Sequence, residues 1–159
     1  MKLLNKTIGK YPVGQWLTII GLGFSLLAWL MQMYSLLDWE GAISLGIQGE
    51  SFSGTPVEAS LARVEWGVAM ADMVWPLPLT IIAIIGILKR KAYGYTAGMM
   101  NFSICIYFPL FFAFQRWEYD LETAMAATVL FALPATLGMI GLWSSRGRYA
   151  IDTSEVHNA

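Results

Sequence analysis

Four apolar stretches, at about residues 16–37, 68–88, 95–114 and 124–143, divide this chain, and the charges between them alternate in sign. Each stretch is about 20 residues, enough at a helical rise of 1.5 Å per residue to cross roughly 30 Å of hydrocarbon. Inside lipid no water satisfies an exposed peptide group, so each stretch must bond its own backbone and be helical. The pattern predicts an all-α fold: an integral membrane four-helix bundle with antiparallel up-down topology. Composition agrees, with 57% apolar and 13% charged residues among 159, where a soluble domain carries about 25% charge.

The charges orient the bundle. Lys2, Lys6 and Lys10 precede the first stretch, Lys89, Arg90 and Lys91 join the second to the third, and Arg146 and Arg148 follow the fourth. Only Arg63 and Arg116 fall in the other segments, which carry Asp38, Glu40, Glu50, Glu58, Glu65, Glu118, Asp120 and Glu122. Lysine and arginine gather on the cytoplasmic side of membrane proteins, so both termini are expected there. Trp16, Trp39, Trp66, Trp117 and Trp143 lie at or near the span ends, where indoles favour the interface. The three early lysines resemble a secretory leader, but the apolar run is too long and no small-residue cleavage site follows. Residues 1–148 therefore read as one membrane domain and 149–159 as a polar cytoplasmic tail; the compact ends suggest a bacterial plasma (inner) membrane.

The outer loop, about 38–64, is the long connection. Thr55-Pro56-Val57-Glu58 places a capping hydroxyl, a proline at the first helical position and a glutamate at the third. A helix is expected from Pro56, either running into the second span or breaking near Gly67. Residues 41–54 are expected to form a short hairpin or to lie irregularly. Residues 115–123 are a short connection, making the third and fourth helices an antiparallel hairpin.

Asp72 is the residue to explain. It lies about one turn inside the second span, where an acid costs up to about 2.5–3.5 kcal/mol and normally faces a partner or a wet cavity. Glu65, seven residues earlier, shares its face if the helix is continuous. Gln32, Tyr107 and Thr128 are at similar depth, and Arg116 is long enough to reach down from the rim. Pro76 removes the hydrogen bond to the carbonyl of Asp72 and favours a kink there, beside Trp75. Pro78, Pro109 and Pro134 offer further kinks. Asp72 is then either the polar anchor of an outward-opening pocket, or a titrating site, or a structural acid bonding the second helix to the third.

The third span carries Ala97, Asn101, Cys105 and Pro109 at intervals of four, with Gly98 adjoining, the small and polar stripe that close helix packing in lipid requires. Asn101 is expected to bond across to another helix or to touch a ligand. Cys105 reads as an inert buried thiol. Gly21 with Ser25 on the first helix, and Gly138 with Gly141 on the fourth, read as packing faces; Met99, Met100, Met125 and Met139 suit an adaptable apolar interior or lipid. The one histidine, His157, reads as a solvated tail residue. No nucleotide-binding, metalloprotease, hydrolase or C-x-x-C motif is present, so no catalytic residue, cofactor or metal is assigned. The net charge of −1 points to no nucleic-acid partner. Lys89-Arg90-Lys91 reads first as a headgroup cluster.

The segment Asp72-Met73-Val74-Trp75-Pro76-Leu77-Pro78, after a long outer loop, resembles the emopamil-binding and sigma-2 receptor group, the EXPERA superfamily. The resemblance implies a central pocket for sterol-like or cationic amphiphilic ligands, with Asp72 facing a ligand amine. The first span has no acid before Asp38, and the isomerase histidine of that group has no counterpart, so sterol isomerisation is not implied.

Three functions follow. One is a membrane protein binding a lipid or hydrophobic small molecule at Asp72, with Trp75, Tyr107, Gln32, Asn101 and Thr128 as lining and Glu65 and Arg116 as rim. Another is a structural or accessory subunit docking a membrane-protein partner or a second copy of itself. The third is an Asp-dependent proton-coupled carrier, for which the lack of an inverted repeat is unfavourable. The orientation has its own test: in a Cys105→Ser background, single cysteines at Lys89 and at Trp39 should be labelled by an impermeant reagent from opposite faces of the membrane.

Overall fold

The computed structural model describes residues 3–118 and 121–149, without the side chains of Thr123, Ala124 and Ala127. Lys2, Asp120, His157 and the tail from residue 150 lie outside the described residues. A short hairpin opens the described chain: β1 (Thr7–Ile8) pairs antiparallel with β2 (Tyr11–Pro12) across Gly9-Lys10. Gly9 has φ 60°, the left-handed conformation that a two-residue turn asks of glycine at its first position. This hairpin was not expected from the sequence.

Seven α-helices follow among the described residues: α1 (Val13–Leu37), α2 (Trp39–Ser44), α3 (Pro56–Val74), α4 (Pro76–Leu88), α5 (Ala92–Gln115), α6 (Leu121–Ala127) and α7 (Leu133–Ser144), with a π-helical segment, Thr128–Ala132, between the last two. Among the described residues, three helical segments are long and apolar enough to cross a membrane: Val13–Leu37, Pro56–Leu88 and Ala92–Gln115. The chain is thus mainly helical and compatible with an integral membrane protein. The fourth predicted span is also helical, but its apolar helix, Thr128–Ser144, is shorter.

The outer loop takes one of the two courses expected for each of its halves: irregular beyond α2, and helical past Gly67. Residues 41–54 form no hairpin; Asp38 caps α2, its Oδ1 accepting from the Gly41 N–H at 2.9 Å. The helix beginning at Pro56 passes through Gly67 unbroken and ends at Val74. The interruption is at Trp75, because Pro76 has no N–H to continue the ladder. The start of α3 is as expected: the Glu58 N–H donates to Thr55 Oγ1 at 3.3 Å, and the Thr55 N–H donates to Glu58 Oε2 at 2.6 Å.

The chain forms two compact units, Met1–Ser25 with Leu79–Ala159, and Leu26–Pro78. In the larger, the side chain of Phe102 on α5 is fully buried. A Cβ on Gly21 would meet Pro134 O at 2.9 Å and Phe102 Cε1 at 3.0 Å; one on Gly138 would meet Phe102 Cζ at 2.5 Å. Glycine at both positions lets α1 and α7 close around one ring. Gly141 and Gly14 touch backbone to backbone in the same way, as do Gly86 and Gly94 where α4 meets α5. The packing faces expected at Gly21, Gly98, Gly138 and Gly141 are therefore real contacts. Polar bonds cross the same seams: Thr18 Oγ1 donates to Gly138 O at 3.2 Å, and Cys105 Sγ to Ser25 Oγ at 3.3 Å.

The smaller unit holds its loop with polar and aromatic contacts. The Trp39 indole is buried and donates to Glu50 O at 2.9 Å, its ring 5.0 Å from that of Phe52. Gln48 Nε2 donates to Gln32 Oε1 at 2.9 Å and to Ser35 Oγ at 3.0 Å, pinning the loop to α1. Glycine spacing generates a direct test. Gly138→Val should destabilise by about 1–3 kcal/mol through overpacking against Phe102. Gly23→Ala, where nothing lies within 4 Å, should leave melting in detergent unchanged or slightly raised.

Candidate functional site

On α3 the buried residues are Ala59, Ala62, Glu65, Ala69 and Asp72. Their spacing of three and four puts them on one face. The opposite face exposes Val64, Trp66, Met70 and Val74, apolar residues suited to lipid. The buried face thus joins small alanines, which permit close approach, to two acids. Continuity through Gly67 places Glu65 and Asp72 on that one face, as the sequence suggested for an unbroken helix.

The two acids differ. Glu65 is buried and engaged in an interaction. Asp72 is only 5% exposed, and its Oδ2 has no hydrogen-bond partner among the described residues. A buried polar atom left unpaired costs about 1–3 kcal/mol, and more if it is charged, so this oxygen calls for a donor that the described residues do not supply. Trp75 and Pro76, immediately beyond, end one helix and begin the next. Pro76 offers no N–H to the carbonyl of Asp72, and Pro78 none to that of Val74.

The other predicted residues take different places. Gln32 belongs to the same unit as Asp72 but is bonded by Gln48. Trp75 is 55% exposed. In the larger unit, Asn101 is fully buried on α5 and its Oδ1 accepts from Thr80 Oγ1 of α4 at 2.7 Å, the cross-helix bond expected of it. Thr128, in the π-helical segment, donates to the carbonyl of Pro109 at 3.3 Å. Tyr107 is 68% exposed, away from the buried stripe of its helix. Arg116 is buried at the end of α5, its guanidinium 5.6 Å from the Phe112 ring. A groove of about 520 Å³ near that end is lined by Phe114, Gln115, Trp117 and Glu118, none of which was expected to bind a ligand.

Thr80 and Gln48 were missed. Thr80 had a signal, being the one polar side chain in α4. Gln48 had none, since its role depends on a loop folding back onto α1. Comparison of the chain with family models, curated proteins and solved structures finds no match. The Thr80–Asn101 bond can be measured: a double-mutant cycle of Thr80→Val and Asn101→Ala, read by unfolding in detergent, should give a coupling of about 0.6 kcal/mol and at most about 1.7 kcal/mol.

Proposed function

We propose that this chain is a four-span membrane protein, with both termini in the cytoplasm, that binds a lipid or other hydrophobic small molecule at an outward-opening intramembrane site anchored by Asp72. The supporting observation is the Asp72 carboxyl, 5% exposed with Oδ2 lacking a partner. A structural acid needs a donor from the protein, as Thr80 provides for the Asn101 carbonyl oxygen. An acid kept for a ligand needs a donor from outside, and an amine or hydroxyl on an otherwise apolar molecule supplies one. The alternation of basic and acidic segments supports the orientation. The likeness of residues 72–78 to the emopamil-binding group belongs to the same proposal and favours a cationic amphiphile.

A proton-coupled carrier is the second reading, favoured by the helix interruption directly after Asp72, since carriers place coupling sites at discontinuous helices. One substitution separates the readings. Asp72→Asn should weaken binding of a cationic amphiphile at least about tenfold, in keeping with loss of a buried charge-assisted bond, while melting in detergent changes little. Equal loss of binding and stability would instead make Asp72 structural. Abolished pH-driven uptake into liposomes, with amphiphile binding intact, would favour the carrier.

A further inference from the structure

Independently of Asp72, a second orphaned polar group lies at the basic end of the larger unit. Tyr149, just past the 3-10 turn Arg146–Arg148, is 3% exposed, yet its hydroxyl has no hydrogen-bond partner among the described residues. Its ring packs beside Tyr95 of α5, centroids 6.0 Å apart. Burial pushes the hydroxyl above its ordinary pKa, while the positive charges of Arg148 and Arg90 pull it down and Tyr11 pushes it up. Arg90 sits in the turn between α4 and α5 with φ 55°, in the left-handed region that a side chain other than glycine rarely adopts. Arg90 and Arg148 are themselves exposed.

Nothing described at this end neutralises them. The acids among the described residues of the unit are Glu118 and Glu122, beyond the far end of α5. That helix has 24 residues, or about 36 Å of rise. Two guanidiniums and a buried hydroxyl donor, with no carboxylate at this end among the described residues, match the oxygens of a phosphate. Arg90 lies between Pro56–Leu88 and Ala92–Gln115, two of the three apolar segments long enough to cross a membrane, so the phosphate available there is that of a lipid. The Trp143 ring, with the Arg146 guanidinium 4.9 Å from it, fits the same interfacial level. We propose that Tyr149, Arg90 and Arg148 form a binding site for the phosphate of an anionic phospholipid headgroup.

Native mass spectrometry of the full chain in neutral detergent, titrated with equimolar phosphatidylglycerol and phosphatidylcholine, tests this. The wild type should carry phosphatidylglycerol in at least about fivefold excess, the scale of one basic contact. Arg90→Gln with Arg148→Gln should bring the two lipids to parity. Tyr149→Phe, which removes only the hydroxyl, should lower the excess about threefold, the scale of one hydrogen bond. Lys89→Gln with Lys91→Gln removes equal charge from neighbouring positions and should preserve most of the preference. Parity in the wild type overturns the site without reference to any variant's folding. An equal fall in the lysine pair reduces it to diffuse charge and overturns it too. Protection from melting by millimolar inorganic phosphate, without lipid preference, would assign the chemistry to a free anion and overturn the lipid.

Discussion

The seating of Phe102 between Gly21 and Gly138 sets the spacing of α1, α5 and α7 in the larger unit. Helices with apolar outer faces gain little from hiding those faces from one another when the surroundings are equally apolar. They associate where backbones approach closely enough for dispersion and short polar bonds to act. Phe102 supplies the packed volume and the two glycines supply the room. The contacts of Gly14 with Gly141 and of Gly86 with Gly94 repeat the principle without a ring between them. With the backbones this close, Thr18 reaches the Gly138 carbonyl and Cys105 reaches Ser25.

Against that background the unpaired polar atoms carry the information. Thr80 with the Asn101 carbonyl oxygen, Gln48 with Gln32, and Thr128 with the Pro109 carbonyl are matched donors and acceptors. Asp72 Oδ2 and the Tyr149 hydroxyl are not matched among the described residues, and neither are the two amide atoms of Gln15, itself 1% exposed. Asp72 stands before a helix interruption, and Tyr149 stands in the field of Arg148 and Arg90. Gln15 has no such neighbourhood on which to build a role; a buried water bridging its amide would be the ordinary resolution.

Several features were legible because they depend on neighbours in the chain. The Thr55–Glu58 capping box, the stop at Pro76 and the small-residue stripe through Ala97, Asn101 and Cys105 all follow from spacing alone. Others had local signals that went unread: Asp38 as the cap of α2, and Gly9-Lys10 as a hairpin turn. Of the two courses open to the helix from Pro56, it runs on through Gly67 and is interrupted at Trp75, since glycine only weakens a helix whereas proline removes a donor and collides with the preceding turn. The fourth apolar stretch accommodates Pro134 behind a π-helical segment, an adjustment that spacing does not announce.

Local chemistry was enough to dictate helices of membrane-crossing length, their caps, and the faces able to pack, because each follows from residue order within a few turns of one helix. Which polar groups find partners was settled elsewhere. The Asn101 carbonyl oxygen meets a donor because Thr80, 21 residues away, faces it; Tyr107, on the same helix, is left outside; Asp72 keeps an oxygen unclaimed. Whether a buried oxygen meets a donor depends on distances between segments remote along the chain, and those are set only when the backbones close on one another.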